Sequence, residues 1–165
     1  MRYFIIFFIF FYGELSAQNM TPEKLHELIE QQSDTISVQG NSIQFLYKQR
    51  PLICVYDENA NRMRIISPIA ETKELEEEQL LNSLVANFHS ALDVKYALSD
   101  EIIWSVYIHP LKELSNHQVL DAIDQVYSAS ITFGTTYSST SLVFPGNTKK
   151  KSEPRAKKLI RTEDQ

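Results

Sequence analysis

The chain has 165 residues, a net charge of -5 and 43% hydrophobic residues, enough for one domain with a core of its own. Cys54 is the sole cysteine, so an internal disulfide is excluded, and its apolar setting over residues 52–56 gives it the role of a buried small hydrophobe. Charge is unevenly divided: residues 18–148 carry eight basic and seventeen acidic side chains, and residues 149–165 carry seven basic against three acidic. An acidic body therefore drags a basic tail.

Arg2 precedes an apolar and aromatic run over residues 3–12, the length of a secretory signal core and half of what a membrane-spanning helix needs. Gly13 and Glu14 break the run, and Leu15-Ser16-Ala17 supplies small residues for cleavage. Residues 1–17 are thus expected to be a signal peptide, residues 18–146 the folded domain and residues 147–165 a disordered basic tail. The expected location is outside the cytoplasm, periplasmic or extracellular, in a bacterium.

Thr21-Pro22-Glu23 opens the first helix with an N-cap hydroxyl, a proline where no amide hydrogen is needed and an acid at the positive helix end. Leu25, Leu28 and Ile29 form its apolar stripe. Period-two alternation follows through Ile36 and Val38, turns at Gly40-Asn41, and resumes at Ile43, Phe45 and Tyr47. Residues 52–56 and 62–67 read as a third and a fourth strand, the latter with Met63 and Ile65 inward. A long helix is expected from Lys73, capped by Thr72, burying Leu81, Leu84, Val85, Phe88 and Leu92.

Alternation then returns in a second hairpin. Val94, Tyr96 and Leu98 precede a turn at Ser99-Asp100, and Ile102, Trp104, Val106 and Ile108 are expected to face the helices. Ile103, Tyr107 and His109 then fall on the opposite face, where a symmetry mate or a bound polypeptide would cover them. The last helix begins at Ser115, whose spacing to Gln118 is that of a capping box and whose flanks Leu114 and Val119 stand as a hydrophobic staple. Leu120, Ile123, Tyr127 and Ile131 continue its face to Gly134. The order α-β-β-β-β-α-β-β-α implies an α+β two-layer sandwich, a mostly antiparallel sheet with helices on one face.

Chemistry is harder to find. His26, His89, His109 and His117 lie on separate elements with no metal-ligand spacing, so no metal site is expected. Gly13, Gly40, Gly134 and Gly146 are too scattered for a nucleophile elbow, a phosphate loop or a dinucleotide fingerprint, so neither a cofactor nor nucleophilic catalysis is expected. Glu74, Glu76, Glu77 and Glu78 crowd a helix start, where acids complement the dipole and face water. The basic tail can meet a membrane surface or an acidic partner, whereas nucleic acid is not expected for an exported, acidic body.

Three stretches carry a resemblance: the Thr21-Pro22-Glu23 helix, Ile43-Gln44-Phe45-Leu46 running to Pro51-Leu52-Ile53-Cys54-Val55, and the hairpin ending in His109-Pro110-Leu111 before the Ser115-capped helix. Over residues 21–134 this arrangement resembles the YbjN family, which is similar in fold to the small chaperones of type III secretion. The resemblance implies an acidic, dimeric module that binds other polypeptides through apolar surface and is not an enzyme. Two functions follow as expectations: a non-catalytic exported protein that binds a polypeptide, with Ile103, Tyr107 and His109 as binding residues, or a carrier of a lipid or small apolar ligand held between helices and sheet.

Overall fold

The computed structural model describes residues 19–140. The expected signal peptide, at residues 1–17, and the basic tail lie outside that range.

Helix α1 (Pro22–Gln32) starts at Thr21, whose hydroxyl accepts the Lys24 amide at 3.3 Å. It leads into a four-strand meander of β1 (Thr35–Gln39), β2 (Ser42–Tyr47), β3 (Arg50–Asp57) and β4 (Arg62–Glu71). Gly40 takes φ +56 in the first hairpin turn, a conformation that glycine adopts at little cost. The β2–β3 turn is built differently: Lys48 and Gln49 both hold positive φ, at 49° and 64°, without a glycine or asparagine.

After a single 3-10 turn at Thr72–Glu74 comes α2 (Glu77–His89), then β5 (Lys95–Ser99), β6 (Ile102–His109) and α3 (Asn116–Thr132). The expected start at Thr72 is occupied by the 3-10 turn, and α2 is capped instead by Glu76 in a capping box with Gln79. The Ser115 capping box is present, and its flanking staple residues Leu114 and Val119 are both buried. The strands form one antiparallel sheet in the order β1-β2-β3-β4-β6-β5. The α+β order expected from the sequence is the order observed.

Cross-strand register sorts the sheet into two faces. Ile43, Cys54, Ile65 and Tyr107 stand in one row, with Phe45, Leu52, Ser67, Ser105 and Tyr96 in the next. Both rows lie beneath α1 and α3 in the core, against Leu25, Ile29, Ile123 and Val126. Directly under α3 the sheet carries serines rather than large apolar groups. Ser105 donates its hydroxyl to the Val126 carbonyl at 3.0 Å, and Ser67 donates to the Pro51 carbonyl at 2.9 Å, both at 0% exposure. A small side chain lets helix and strand approach closely, and its hydroxyl finds an acceptor rather than being buried unpaired.

Two expectations are corrected by this register. Ile103 and Tyr107 are on the helix-covered face, at 2% and 6% exposure, and the residues turned outward are Ile102, Trp104, Val106 and Ile108. The period of the strand was legible and its phase was not, because the outward set is the more uniformly apolar of the two. Likewise Leu81, Leu84, Val85 and Phe88 are exposed, and α2 buries Ser83 and Ala86 instead. Leu92 does not extend the helix; it follows the C-cap with φ 50. On α3, Ile131 is exposed, while Ala122, Gln125 and Ala129 join the buried face.

Candidate functional site

Among the described residues no helix covers the second face of the sheet. Cross-strand pairing places Leu46 beside Pro51, Ile53 beside Ile66, Ile66 beside Val106, and Pro68 and Ala97 on either side of Trp104. These residues form a continuous apolar floor across the strands. Val55 and Ile108 extend it around the Arg64 they flank, and Ile108 is 61% exposed. At the centre of the sheet β3, β4 and β6 carry apolar residues on both faces, the pattern of strands with something on either side, whereas β1 and β5 alternate apolar with polar as strands meeting water do. Trp104, the chain's single tryptophan, sits half-buried on this floor and donates its indole N–H to the Ser99 carbonyl at 3.3 Å.

A shallow groove of about 410 Å³ opens at one end of the sheet, lined by residues of β1, β2 and β3 that include Thr35, Ser37, Leu46, Pro51 and Ile53. It lies against the β1 edge. That strand reads Thr-Ile-Ser-Val-Gln, with no charge and no proline to discourage a further strand from pairing. The opposite edge is met by α2 at Tyr96. The Asn87 side chain of α2 accepts the Tyr96 amide at 2.6 Å and donates to the Tyr96 carbonyl at 3.1 Å, as a neighbouring strand would.

Charge on the open face differs from that of the body. Arg62 and Arg64 rise from β4, with Asp57 the acid of the neighbouring strand, opposite Arg62. On the helix side, Tyr47 donates to the Asp124 carboxylate at 2.5 Å and Lys48 reaches the same oxygen at 3.0 Å. The Lys48 ammonium also lies over the Tyr47 and Tyr127 rings, at 4.6 and 5.0 Å. Burial raises the Asp124 carboxyl, but the hydrogen bonds from Tyr47 and Lys48 and the lysine's charge outweigh it and hold the group below its ordinary range. The Tyr47 hydrogen bond, then that of Asp124, raises Lys48 well above its ordinary value.

Of the three residues expected to bind, Ile103 and Tyr107 belong to the core, and burial, with the charges of Asp93 and Asp121, pushes the Tyr107 hydroxyl up. His109 ends the same row, half-buried and stacked on the Tyr107 ring at 6.0 Å between centroids, with Nδ1 2.8 Å from the Pro110 carbonyl oxygen. They share one face, but it is the covered one. The residues turned to the open face are their neighbours Trp104, Val106 and Ile108, a period-two set expected to face the helices.

His26 and His117 lie on α1 and α3, His89 at the end of α2, and His109 at the end of β6. Among the described residues no group of three or more His, Cys, Asp or Glu is placed to hold a metal ion. Burial pushes the Cys54 thiol up to about 12, which keeps it un-ionised at neutral pH. No described helix is long and apolar enough to cross a membrane.

A second apolar surface lies on α2. Leu81, Leu84, Val85 and Phe88 are 52%, 63%, 58% and 86% exposed along one side of the helix. Full burial of a side chain of this kind is worth about 1.5–3 kcal/mol, so four in water form a feature that requires a cover.

No family model matches the chain, and no curated protein matches it in sequence. Solved structures do match in fold. The Yersinia pestis type III secretion chaperone SycH, in complex with a stable fragment of YscM2, superposes with a TM-score of 0.54 at 13% identity, over 69% of this chain and 100% of that one. A chain of the HopA1-SchA chaperone-effector complex matches with a TM-score of 0.53 at 10% identity, over 66% and 88%. A chain of the ExsC-ExsE complex matches with a TM-score of 0.53 at 10% identity, over 67% and 91%. The chain therefore has a type III secretion chaperone-like fold.

Proposed function

We propose that this chain is a non-catalytic module that binds a polypeptide on the open face of its sheet and along the β1 edge. The observation that carries the proposal is the apolar floor of Leu46, Ile53, Ile66, Trp104 and Val106, which none of the described helices covers. A strand pairing with β1 would satisfy its own backbone on the free edge and set alternate side chains into the adjoining groove. Arg62 and Arg64 favour a segment that flanks its apolar residues with acids. The fold neighbours support the same class of function, since their structures include a chaperone-effector complex and a chaperone with a fragment of another protein. The apolar run of residues 3–12, ending in small residues at Ser16 and Ala17, supports export, so the proposed place of work is outside the cytoplasm.

A carrier of lipid would need room between helices and sheet. That layer holds Leu25, Ile29, Ile43, Leu52, Ile65 and Ile123 at 0–1% exposure. The polypeptide is therefore favoured over the apolar small ligand.

The test uses an array of short apolar peptides flanked by acidic or by basic residues. The expected result is binding to the acidic-flanked set, weakened at least tenfold by Val106→Glu and Ile66→Glu in chains whose melting temperature is unchanged. Binding indifferent to both substitutions would refute the proposed surface.

A further inference from the structure

We infer that a second copy of this chain covers the exposed apolar face of α2, the two helices packing antiparallel about a two-fold axis. This inference is independent of the proposed polypeptide, which lies on the open face of the sheet and along β1, the edge far from α2.

The first support is the spacing of the stripe. Leu81, Leu84, Val85 and Phe88 recur at i, i+3, i+4 and i+7, which is one side of an α-helix, while Ser83 and Ala86 hold the other side against the domain. Such a stripe packs against an identical one, the ridges of each helix filling the grooves of the other. With the two-fold axis between Leu84 and Val85, Leu84 of each copy meets Val85 of the other, and Phe88 meets Leu81. Every member of the stripe then has an apolar partner, as a self-complementary interface requires.

The second support is charge, which selects the direction. Glu77 and Glu78 are exposed one turn before Leu81, at the start of the stripe. At the other end of the helix the Lys95 ammonium donates to the Asn87 carbonyl at 2.9 Å and to the Leu92 carbonyl, so a cation is fixed beside the last turn. Antiparallel packing about the same axis sets Glu77 level with position 92 of the second copy, where that copy's Lys95 is held. Parallel packing would instead set the glutamates of the two copies against each other.

Area agrees as well. At roughly 200 Å² for a free residue of this size, the exposed parts of the four side chains come to about 500 Å² on each copy, or about 1,000 Å² for a pair, the size at which specific interfaces begin. The charged ends add to it. The same glutamates disfavour an anionic lipid surface as the cover.

Sedimentation of the full chain tests the inference. A dimer is expected at about 50 μM, weakened at least tenfold by Phe88→Glu and by Leu84→Glu in chains whose circular dichroism is unchanged. Glu77→Lys with Glu78→Lys is expected to weaken it at least fivefold, and Lys95→Glu likewise. The three substitutions together should restore association, because opposite charges meet again at both ends. Leu84→Cys, oxidised by diamide, is expected to join two molecules at least tenfold faster than the control Glu27→Cys, and Cys54 is buried and does not compete. A monomeric chain would leave the face to another occupant and overturn the inference. A dimer indifferent to Phe88→Glu and Leu84→Glu, or one that the triple reversal does not restore, would also overturn it.

Discussion

Lys48 and Gln49 hold left-handed backbone in a two-residue turn where asparagine and glycine are the usual occupants. Lys48 is kept there by Asp124 and by the Tyr47 and Tyr127 rings, whereas Gln49 is held only through its amide, which donates to Asp34 at 3.1 Å. Gln49→Gly keeps that bond and relieves the backbone, and is expected to stabilise the protein by about 0.5–1 kcal/mol in urea titration. Asp124 gives a pH signature. Its carboxyl is held below the ordinary 3.8, so its contribution is complete above the unfolded value and is lost as pH falls through the lower folded value. Wild type should therefore exceed Asp124→Asn by no more than about 1 kcal/mol at pH 7, since the pair is half exposed, with the gap closing below pH ~4 in chemical denaturation. Cys54 supplies a third expectation: a thiol pushed up to about 12 by burial resists iodoacetamide in the native protein and reacts once the protein is unfolded.

At the scale of elements, what the sequence revealed and what it concealed have a common cause. Helix starts were legible at Thr21 and Ser115, whose hydroxyls are usual caps bonding three residues on, and not at α2, where a glutamate, Glu76, takes that place. Strand period was legible for β2, where Ile43, Phe45 and Tyr47 are buried as expected. The faces of β6 and α2 were not, and in both the covered side carries small residues: Ser105 on β6, Ser83 and Ala86 on α2. Hydrophobic patterning assumes that the larger apolar set faces the core. Close approach of two elements favours the smaller set, and only the tertiary register reveals where that happens. Ala86→Leu is accordingly expected to destabilise by about 1–3 kcal/mol in thermal melts, although it adds apolar surface to a helix that looks underpacked by sequence. The candidate site suffered the same shift. Ile103 and Tyr107 stand on the right strand, one position away from the residues that face outward.

The described residues form one sheet whose central strands are apolar on both faces, one face being filled by α1 and α3. Its two edges are treated unequally: Asn87 occupies the β5 edge, and β1 is left without a guarding charge. Asn87→Leu removes both hydrogen bonds to Tyr96 and uncovers the second edge, so a cost of about 1–3 kcal/mol and increased aggregation by light scattering are expected. The asymmetry favours the β1 edge, beside the groove over β1 to β3, as the place at which a further strand can join.

The position of Trp104 has a practical consequence. Because the chain has one tryptophan, and that one lies on the uncovered floor, its ultraviolet emission belongs entirely to the surface in question. A polypeptide settling there should move the emission to shorter wavelength and shield it from acrylamide, with no label attached. The indole is a native optical gauge of which side of the molecule is occupied.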